Sequence, residues 1–214
     1  MKITVYDERT YCQYYWSLIK VKNPIIFSFC PIKDYNSIII KSCIFSLSFS
    51  IYYIYNFSFF TEEIIHDIYD MGGEYDIIYF MPKIAISFVC GYYVTVIIKL
   101  IFLSERNIIQ VRRQLTHSKA ISISENVKRN LIIKYVIFFI LGIIFLFFFW
   151  MLLSSFGAVY QNTQMFIFKN TLISFSMSLI YSCFNLLPCI FRIYSLRTKN
   201  NECLYKISKF LQIL

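Results

Sequence analysis

Four long apolar blocks constrain this chain more than any other feature of its sequence. They lie at residues 37–60, 84–103, 135–156 and 171–191. A helix needs about 20 predominantly apolar residues to cross the roughly 30 Å of hydrocarbon in a bilayer, and each block reaches that length. Buried helices of a large soluble protein are the alternative, but apolar runs of this length are typical of membrane spans. The sequence therefore predicts an all-α, polytopic helical membrane protein with four transmembrane helices.

The composition agrees with that fold class and contains few of the residue patterns that bind metals or cofactors. Charged residues make up only 15% of the chain, whereas an ordinary soluble domain has about 25%. The seven cysteines lie within the blocks or in basic segments, and they form no CxxC pair or Cys/His spacing suited to a metal. We therefore expect no disulfides, no metal site and no cofactor. The N-terminal residues contain no apolar signal-peptide core, so we expect the first block to direct insertion.

Lys and Arg residues alternate between the segments that flank the blocks. The loops at 61–80 and 157–170 hold one, Lys169, whereas the other three segments hold sixteen. Because basic residues are retained on the cytoplasmic side, we expect both termini and residues 104–130 to be cytoplasmic and the 61–80 loop to face the opposite compartment. The sixteen are Lys2, Arg9, Lys20, Lys22, Lys33, Arg106, Arg112, Arg113, Lys119, Lys128, Arg129, Arg192, Arg197, Lys199, Lys206 and Lys209.

The 61–80 loop also contains six of the chain's twelve acidic residues. It lacks the alternating oxygen ligands and the bidentate Glu of an EF-hand loop. A solvated acidic helix face is therefore favoured over weak attraction of divalent cations or a true metal site. The following Gly72 and Gly73 should end this helix, because glycine tolerates the left-handed cap conformation. The side chains that would share a helix face are Glu62, Glu63, His66, Asp67 and Asp70, with His66 expected at the surface.

Five basic residues lie inside the blocks or next to their ends, and one of them, Lys83, belongs to the interface opposite the cytoplasm. The other four are Lys41, Lys99, Lys134 and Arg192. With the predicted topology all four lie at the cytoplasmic boundary, where long basic side chains reach out to the headgroups. The functional alternative is a basic ring that attracts anions to an inner mouth. The blocks contain no Asp or Glu, which weighs against an ion-coupled transporter, because such proteins usually place carboxylates at membrane depth.

Pro188 is expected to kink the fourth span near its cytoplasmic end. Proline has no backbone N–H and cannot bond to the carbonyl of Phe184, four residues earlier. Asn185 is close enough along the chain to help satisfy the carbonyl that is freed. A packing kink is favoured over a gating hinge.

Residues 104–130 predict a cytoplasmic helical hairpin with residues 117–122 as its turn. Ser122 and Glu125 have the S-x-x-E arrangement of a capping box, which would begin the second helix of this hairpin. Two further segments predict interfacial helices. One is the aromatic-rich stretch 11–22, and the other is the tail, in which Leu204, Ile207, Leu211 and Leu214 share one helix face.

Five strings carry a resemblance to a known family: KDYNSIIIK at 33–41, LSERNI at 103–108, SSFGAVYQNTQ at 154–164, NLLPCIFRI at 185–193 and NECLYKISK at 201–209. They resemble the C-terminal membrane block of an uncharacterised multi-pass membrane protein family of AT-rich protists, ciliates especially. In that family the block looks like the end of longer polypeptides, so the resemblance implies a short member or a piece of a longer chain. Cys189 stands where the family pattern has Gly, and no catalytic residue is carried over.

A fainter, topological similarity is to the membrane region of polycystin-type receptors. There, too, a span that ends in paired phenylalanines, here Phe59 and Phe60, precedes a polar loop. A segment like residues 160–164 then links later spans. This similarity implies a surface receptor or a channel-associated subunit.

The sequence thus predicts three parts: a cytoplasmic or interfacial N-terminal segment (1–36), a four-span membrane domain (37–191) and a cytoplasmic amphipathic tail (192–214). The expected function is that of a non-enzymatic integral membrane module that anchors or assembles a larger membrane or surface complex. The alternative is a channel/transport or polycystin-like receptor subunit. The expected partners are the lipid bilayer and other membrane protein subunits. No nucleic acid and no small-molecule substrate is expected. The expected location is the plasma membrane or an endomembrane.

Overall fold

The computed structural model describes residues 10–32, 34–103, 108–109, 111, 117–159, 163–197 and 202–213. Within these residues the regular elements are α-helices and there is no strand, so the predicted all-α class is confirmed. The helices are α1 (Tyr11–Lys22), α2 (Pro24–Phe29), α3 (Ile38–Ser58), α4 (Glu62–Asp70), α5 (Ile77–Phe102), α6 (His117–Val159), α7 (Gln164–Cys183), α8 (Leu186–Arg197) and α9 (Glu202–Ile213).

Four stretches of helix are long and apolar enough to cross a membrane, which confirms the predicted multi-pass class. They are Ile38–Ser58, Ile77–Phe102, Ile121–Val159 and Gln164–Ser195. Each takes in all or most of one apolar block of the sequence. The fourth stretch comprises α7 and most of α8.

The helix boundaries differ from the predicted ones in two places. Helix α5 begins at Ile77, where the Asp76 side chain accepts a hydrogen bond from the Ile78 N–H, and it continues through Pro82. Helix α6 already runs from His117. The prediction of a turn at residues 117–122 is therefore wrong, and Ser122 lies inside the helix instead of capping it. Residues 104–107, 110 and 112–116, where the rest of the predicted hairpin falls, lie outside the described residues.

The chain divides into two compact units. The central unit comprises Lys33–Ser176, and the terminal unit comprises Met1–Ile32 together with Met177–Leu214. In the central unit α3 is the most enclosed span: half of its most apolar 18-residue stretch is buried, against 22% in α5 and 6% in α6. One core cluster joins α3 to α6 through Ile40, Ile44, Leu47 and Phe138, and a second contains Tyr53, Phe156 and Ile167.

In the terminal unit the short helices are defined by their caps. Thr10 and Gln13 form a capping box at the start of α1, and the Asn23 side chain caps α2, whose first residue is proline. Helix α9 packs against α8, and the Arg192 guanidinium lies 3.9 Å from the centre of the Tyr205 ring. The predicted apolar face of α9 is only partly correct, because Ile207 is exposed and Ser208 is the buried residue.

Candidate functional site

Polar side chains are buried within the apolar spans of the central unit. One group of them lies on α3, α5 and α7, and we call it the polar cluster. Each of its members is at most 6% exposed. They are Asn56, Ser87, Thr95, Asn170 and Ser174.

Asn56 and Ser174 connect three helices. The Asn56 amide nitrogen donates to the Tyr52 carbonyl at 2.8 Å and to the Ser174 hydroxyl oxygen at 3.2 Å. The single hydroxyl proton of Ser174 has two acceptors, the Asn170 carbonyl at 2.9 Å and the Ile84 carbonyl of α5 at 3.3 Å. Interhelical hydrogen bonds of this kind are worth about 0.6 kcal/mol each on average in a membrane protein. They fix the register of α3, α5 and α7.

The end of the polar cluster nearest the 61–80 loop is covered by aromatic rings. The Tyr75 hydroxyl donates to the Asn170 side-chain oxygen at 2.5 Å. The Tyr75 ring stacks on Phe80 with 5.5 Å between ring centres, and Phe80 in turn stacks on Phe60 at 5.9 Å. Burial raises the pKa of Tyr75, which keeps the phenol protonated as a donor. These rings close one end of the cluster with apolar surface.

A stripe of small residues on α5 lets α3 approach closely. Ser87, Gly91 and Thr95 follow one another at intervals of four residues, and all three are buried. The Tyr52 ring of α3 lies against Gly91, where no side chain intervenes. Small residues at this spacing allow close helix contact in membranes. The stripe contains only one glycine, so in the sequence it is recognisable only as a repeat of small residues of any type at intervals of four.

Three polar atoms of the cluster have no hydrogen-bond partner within the part of the chain that the structure describes. They are the Asn56 side-chain oxygen, the Ser87 hydroxyl and the Thr95 hydroxyl. A buried polar group without a partner is destabilising. All three are neutral groups that donate or accept hydrogen bonds, which suits helix association or the binding of a water molecule.

The acidic loop folds as the sequence predicts, with its carboxylates exposed. Ile64 and Ile68 are the buried residues of α4, while His66 is exposed. Gly72 and Gly73 adopt positive φ angles of 68° and 78°, and the Gly73 N–H bonds to the Ile68 carbonyl at 3.0 Å, so glycine ends the helix as expected. Among the described residues no group of three or more His, Cys, Asp and Glu side chains is placed to hold a metal ion.

One carboxylate of this loop has a structural contact. Asp67 accepts a hydrogen bond from the Tyr79 hydroxyl at 2.6 Å. The Lys83 ammonium lies 4.1 Å from the centre of the Tyr79 ring. The contact ties α4 to the first turn of α5.

The basic residues at the ends of the spans contact the protein itself. Lys41 is only 2% exposed and forms an ion pair with Asp34 at 2.6 Å, so the prediction that it reaches out to headgroups is wrong. Lys134 donates to the Leu103 carbonyl at 2.9 Å. Lys99 is half-buried on α5. The sequence did not indicate the ion pair, because Asp34 precedes the helix that carries Lys41.

The terminal unit contains a break in the fourth apolar stretch, as Pro188 predicts. Helix α7 ends at Cys183 and α8 begins at Leu186. The Asn185 side chain donates to the Ser182 carbonyl at 2.7 Å, so it satisfies a neighbouring carbonyl and not that of Phe184. The predicted kink is therefore confirmed, with a different acceptor.

Helix α1 supplies further donors to the carbonyls at this break. The Tyr15 hydroxyl donates to the Cys183 carbonyl at 2.9 Å, and the Tyr11 hydroxyl donates to the Leu186 carbonyl at 3.4 Å. Asn23, the residue after α1, donates to a side chain instead, the Ser182 hydroxyl oxygen, at 3.0 Å. Desolvation raises the pKa of both tyrosines, so both remain protonated donors at neutral pH. The sequence predicts an interfacial helix over 11–22, but it does not indicate these hydrogen bonds, whose partners lie more than 150 residues away.

Comparisons of the chain with protein-family models, with curated proteins and with solved structures found no match.

Proposed function

We propose that the chain is a non-enzymatic integral membrane module that anchors or assembles a larger membrane or surface complex. In this proposal both termini and the 104–130 segment are cytoplasmic, that segment forms a hairpin, and α1 and α9 lie near the membrane interface. The observation that supports the proposal is that only a small share of the apolar surface of α6 is buried against the rest of the chain.

One face of helix α6 packs against the rest of the chain, and the opposite face is exposed. Only 6% of its most apolar stretch is buried, although it is the longest helix of the described residues. Its outward face carries Ile143, Phe147 and Trp150, which are 67%, 68% and 72% exposed. At 100° per residue this face lies opposite the one that contacts α3. Such a face suits contact with another membrane protein.

The polar cluster supports the same proposal. Its hydrogen bonds join α3, α5 and α7 through neutral side chains and backbone carbonyls. These contacts hold three spans of the central unit together. They assemble helices without acid–base chemistry.

Photocrosslinking tests the proposal directly. A photoreactive residue replaces Phe147 or Trp150 in the full chain, and the matched control replaces Ile97, which is 53% exposed on α5. Illumination of intact membranes from the source cells should give a protein adduct of one defined mass from α6 and only lipid adducts from Ile97. Lipid adducts alone from all three positions would contradict the proposal.

The second candidate is a channel/transport or polycystin-like receptor subunit. The three buried polar atoms without partners, on α3 and α5, favour it, because such groups at membrane depth can line a water path after a helix rearrangement. The purified chain in planar bilayers separates the two functions. The anchoring proposal expects no current, and it expects Lys99→Gln to leave insertion unchanged. A reproducible anion current that Lys99→Gln abolishes, and that weakens at high salt, would establish the second candidate.

A further inference from the structure

An apolar groove runs along the outer surface of the central unit. It has a volume of about 540 Å³, within the usual range of about 300–1,000 Å³ for small-molecule sites. Three of the α6 side chains that line it are more than half exposed, so the groove is open to the surroundings: Leu141, Ile144 and Phe148. Its other walls are α3, through Leu47 and Ile51, and α5, through Val94, Ile98 and Phe102.

The length of the groove matches one leaflet of a bilayer. On α5 the lining extends from Val94 to Phe102, and on α6 it extends from Phe138 to Phe148. At 1.5 Å per residue these stretches are about 12 Å and about 15 Å long. The hydrocarbon of one leaflet is about 15 Å thick, half of the whole. The groove thus has the length of one acyl chain that lies along the helices.

One end of the groove is basic. Phe102 and Phe138 meet there, with 4.7 Å between their ring centres. Lys134 lies one helical turn before Phe138 and donates to the carbonyl of Leu103, the residue that follows Phe102. This contact uses one of the three N–H donors of its ammonium group.

A second lysine lies at this end, but a carboxylate balances its charge. Lys41 belongs to the same end, because Ile40 and Ile44 on either side of it contact Phe138 and Phe102 in one cluster. Its charge is balanced by Asp34. Lys134 instead donates to a neutral backbone carbonyl, so that contact leaves its positive charge unbalanced.

We propose that this groove binds one acyl chain of an anionic phospholipid, with Lys134 as the contact for the headgroup phosphate. The leaflet length, the wholly apolar lining and the basic end together match a single phospholipid. A protein helix would not be limited to one leaflet. The lipid lies on the side of α6 opposite Ile143, Phe147 and Trp150, so this inference does not depend on the proposed function.

Photoreactive phospholipids test the proposal on the full chain in vesicles. The probe is phosphatidylserine with a diazirine in one acyl chain, at low content in phosphatidylcholine, and the reference is photoreactive phosphatidylcholine. We expect adducts on residues 138–148 and a preference for phosphatidylserine of about fivefold, the effect of one basic residue near a membrane surface. Lys134→Gln should remove this preference, whereas Lys128→Gln, an exposed change on the same helix, should retain it.

A second pair of variants tests the groove itself. A methyl group at Gly142 would have no neighbour nearer than 3.9 Å, so Gly142→Phe can place its ring in the groove without disturbing α3. It should abolish labelling of 138–148, while Ile143→Phe, on the opposite face, should not. Gly142→Leu provides a milder blockade if the larger side chain prevents folding. Equal labelling in all variants, or a groove closed by a second copy of the chain with no lipid adduct, would overturn the proposal.

Discussion

The ring of Tyr52 lies so close to Gly91 that a methyl group at residue 91 would be 2.5 Å from its Cε1 atom. Helices α3 and α5 contact each other at this point, and Ser87 and Thr95, one turn before and after Gly91 on α5, are also buried. A side chain at residue 91 would therefore collide with this ring, which is only 2% exposed and enclosed by its neighbours.

We expect Gly91→Ala to lower the free energy of unfolding by about 1–3 kcal/mol, the usual cost of overpacking a tight core. Gly142→Ala is the matched control, because its added methyl group meets only ordinary van der Waals contact at 3.9 Å. Unfolding of the purified chain by increasing fractions of SDS in mixed micelles measures the difference. Equal stability of the two variants would contradict the close approach of α3 and α5.

Asn56 should remain without a glycan, although Asn56-Phe57-Ser58 is a formal acceptor sequence. Its side chain is 1% exposed and its amide nitrogen already donates two hydrogen bonds inside the helix bundle. Glycosidase treatment followed by mass spectrometry checks this. A mass shift that Asn56→Gln abolishes would place the residue outside the bundle.

The fold class and the number of apolar spans could be predicted, because both follow from the length of the apolar blocks. The break at Pro188 and the glycine cap after α4 could be predicted for a similar reason. Each depends on the chemistry of one residue type and on its immediate neighbours.

The packing partners could not be predicted, because they depend on residues far apart in the chain. The amide of Asn56 meets Ser174 across 118 positions, and Tyr15 reaches Cys183 across 168. The exposure of α6 could not be predicted from the sequence either. Lipid tails and a protein interior are both apolar, so hydropathy alone does not tell a lipid-facing helix from a central one.

Tyr15→Phe should lower the free energy of unfolding by about 1 kcal/mol. The change removes the hydroxyl that donates to the Cys183 carbonyl at the break after α7. Tyr11→Phe should cost less, since its hydrogen bond is longer at 3.4 Å. Tyr69→Phe is the control, with a side chain that is 80% exposed. The SDS unfolding assay checks the order of the three variants, and equal stability of Tyr15→Phe and Tyr69→Phe would contradict it.

The raised pKa of Tyr15 also predicts how its contribution depends on pH. The protonated phenol is favoured in the folded state, so its contribution is complete below the ordinary value of 10.0 and is lost as the pH rises through the folded-state pKa. Unfolding measured from pH 8 to pH 11 should therefore show a smaller loss of stability in Tyr15→Phe than in the parent chain. The same pH dependence in both proteins would contradict the assignment.

We propose that the four apolar stretches cross a membrane with both termini and the 104–130 segment on the cytoplasmic side. Sixteen Lys and Arg residues in three segments, against one in the two others, are the basis of this orientation. Suitable label positions are Glu74 and Ser118, both of which are exposed. Glu74 is preferable to Gly73, whose φ of 78° would strain a cysteine.

Labelling of single cysteines with a membrane-impermeant maleimide, in a background without the seven native cysteines, measures this orientation most directly. In sealed vesicles of known sidedness, Ser118→Cys should react only when the cytoplasmic surface faces outward. Glu74→Cys should react only in vesicles of the opposite orientation. Reaction of both positions from the same side would contradict the four-span topology.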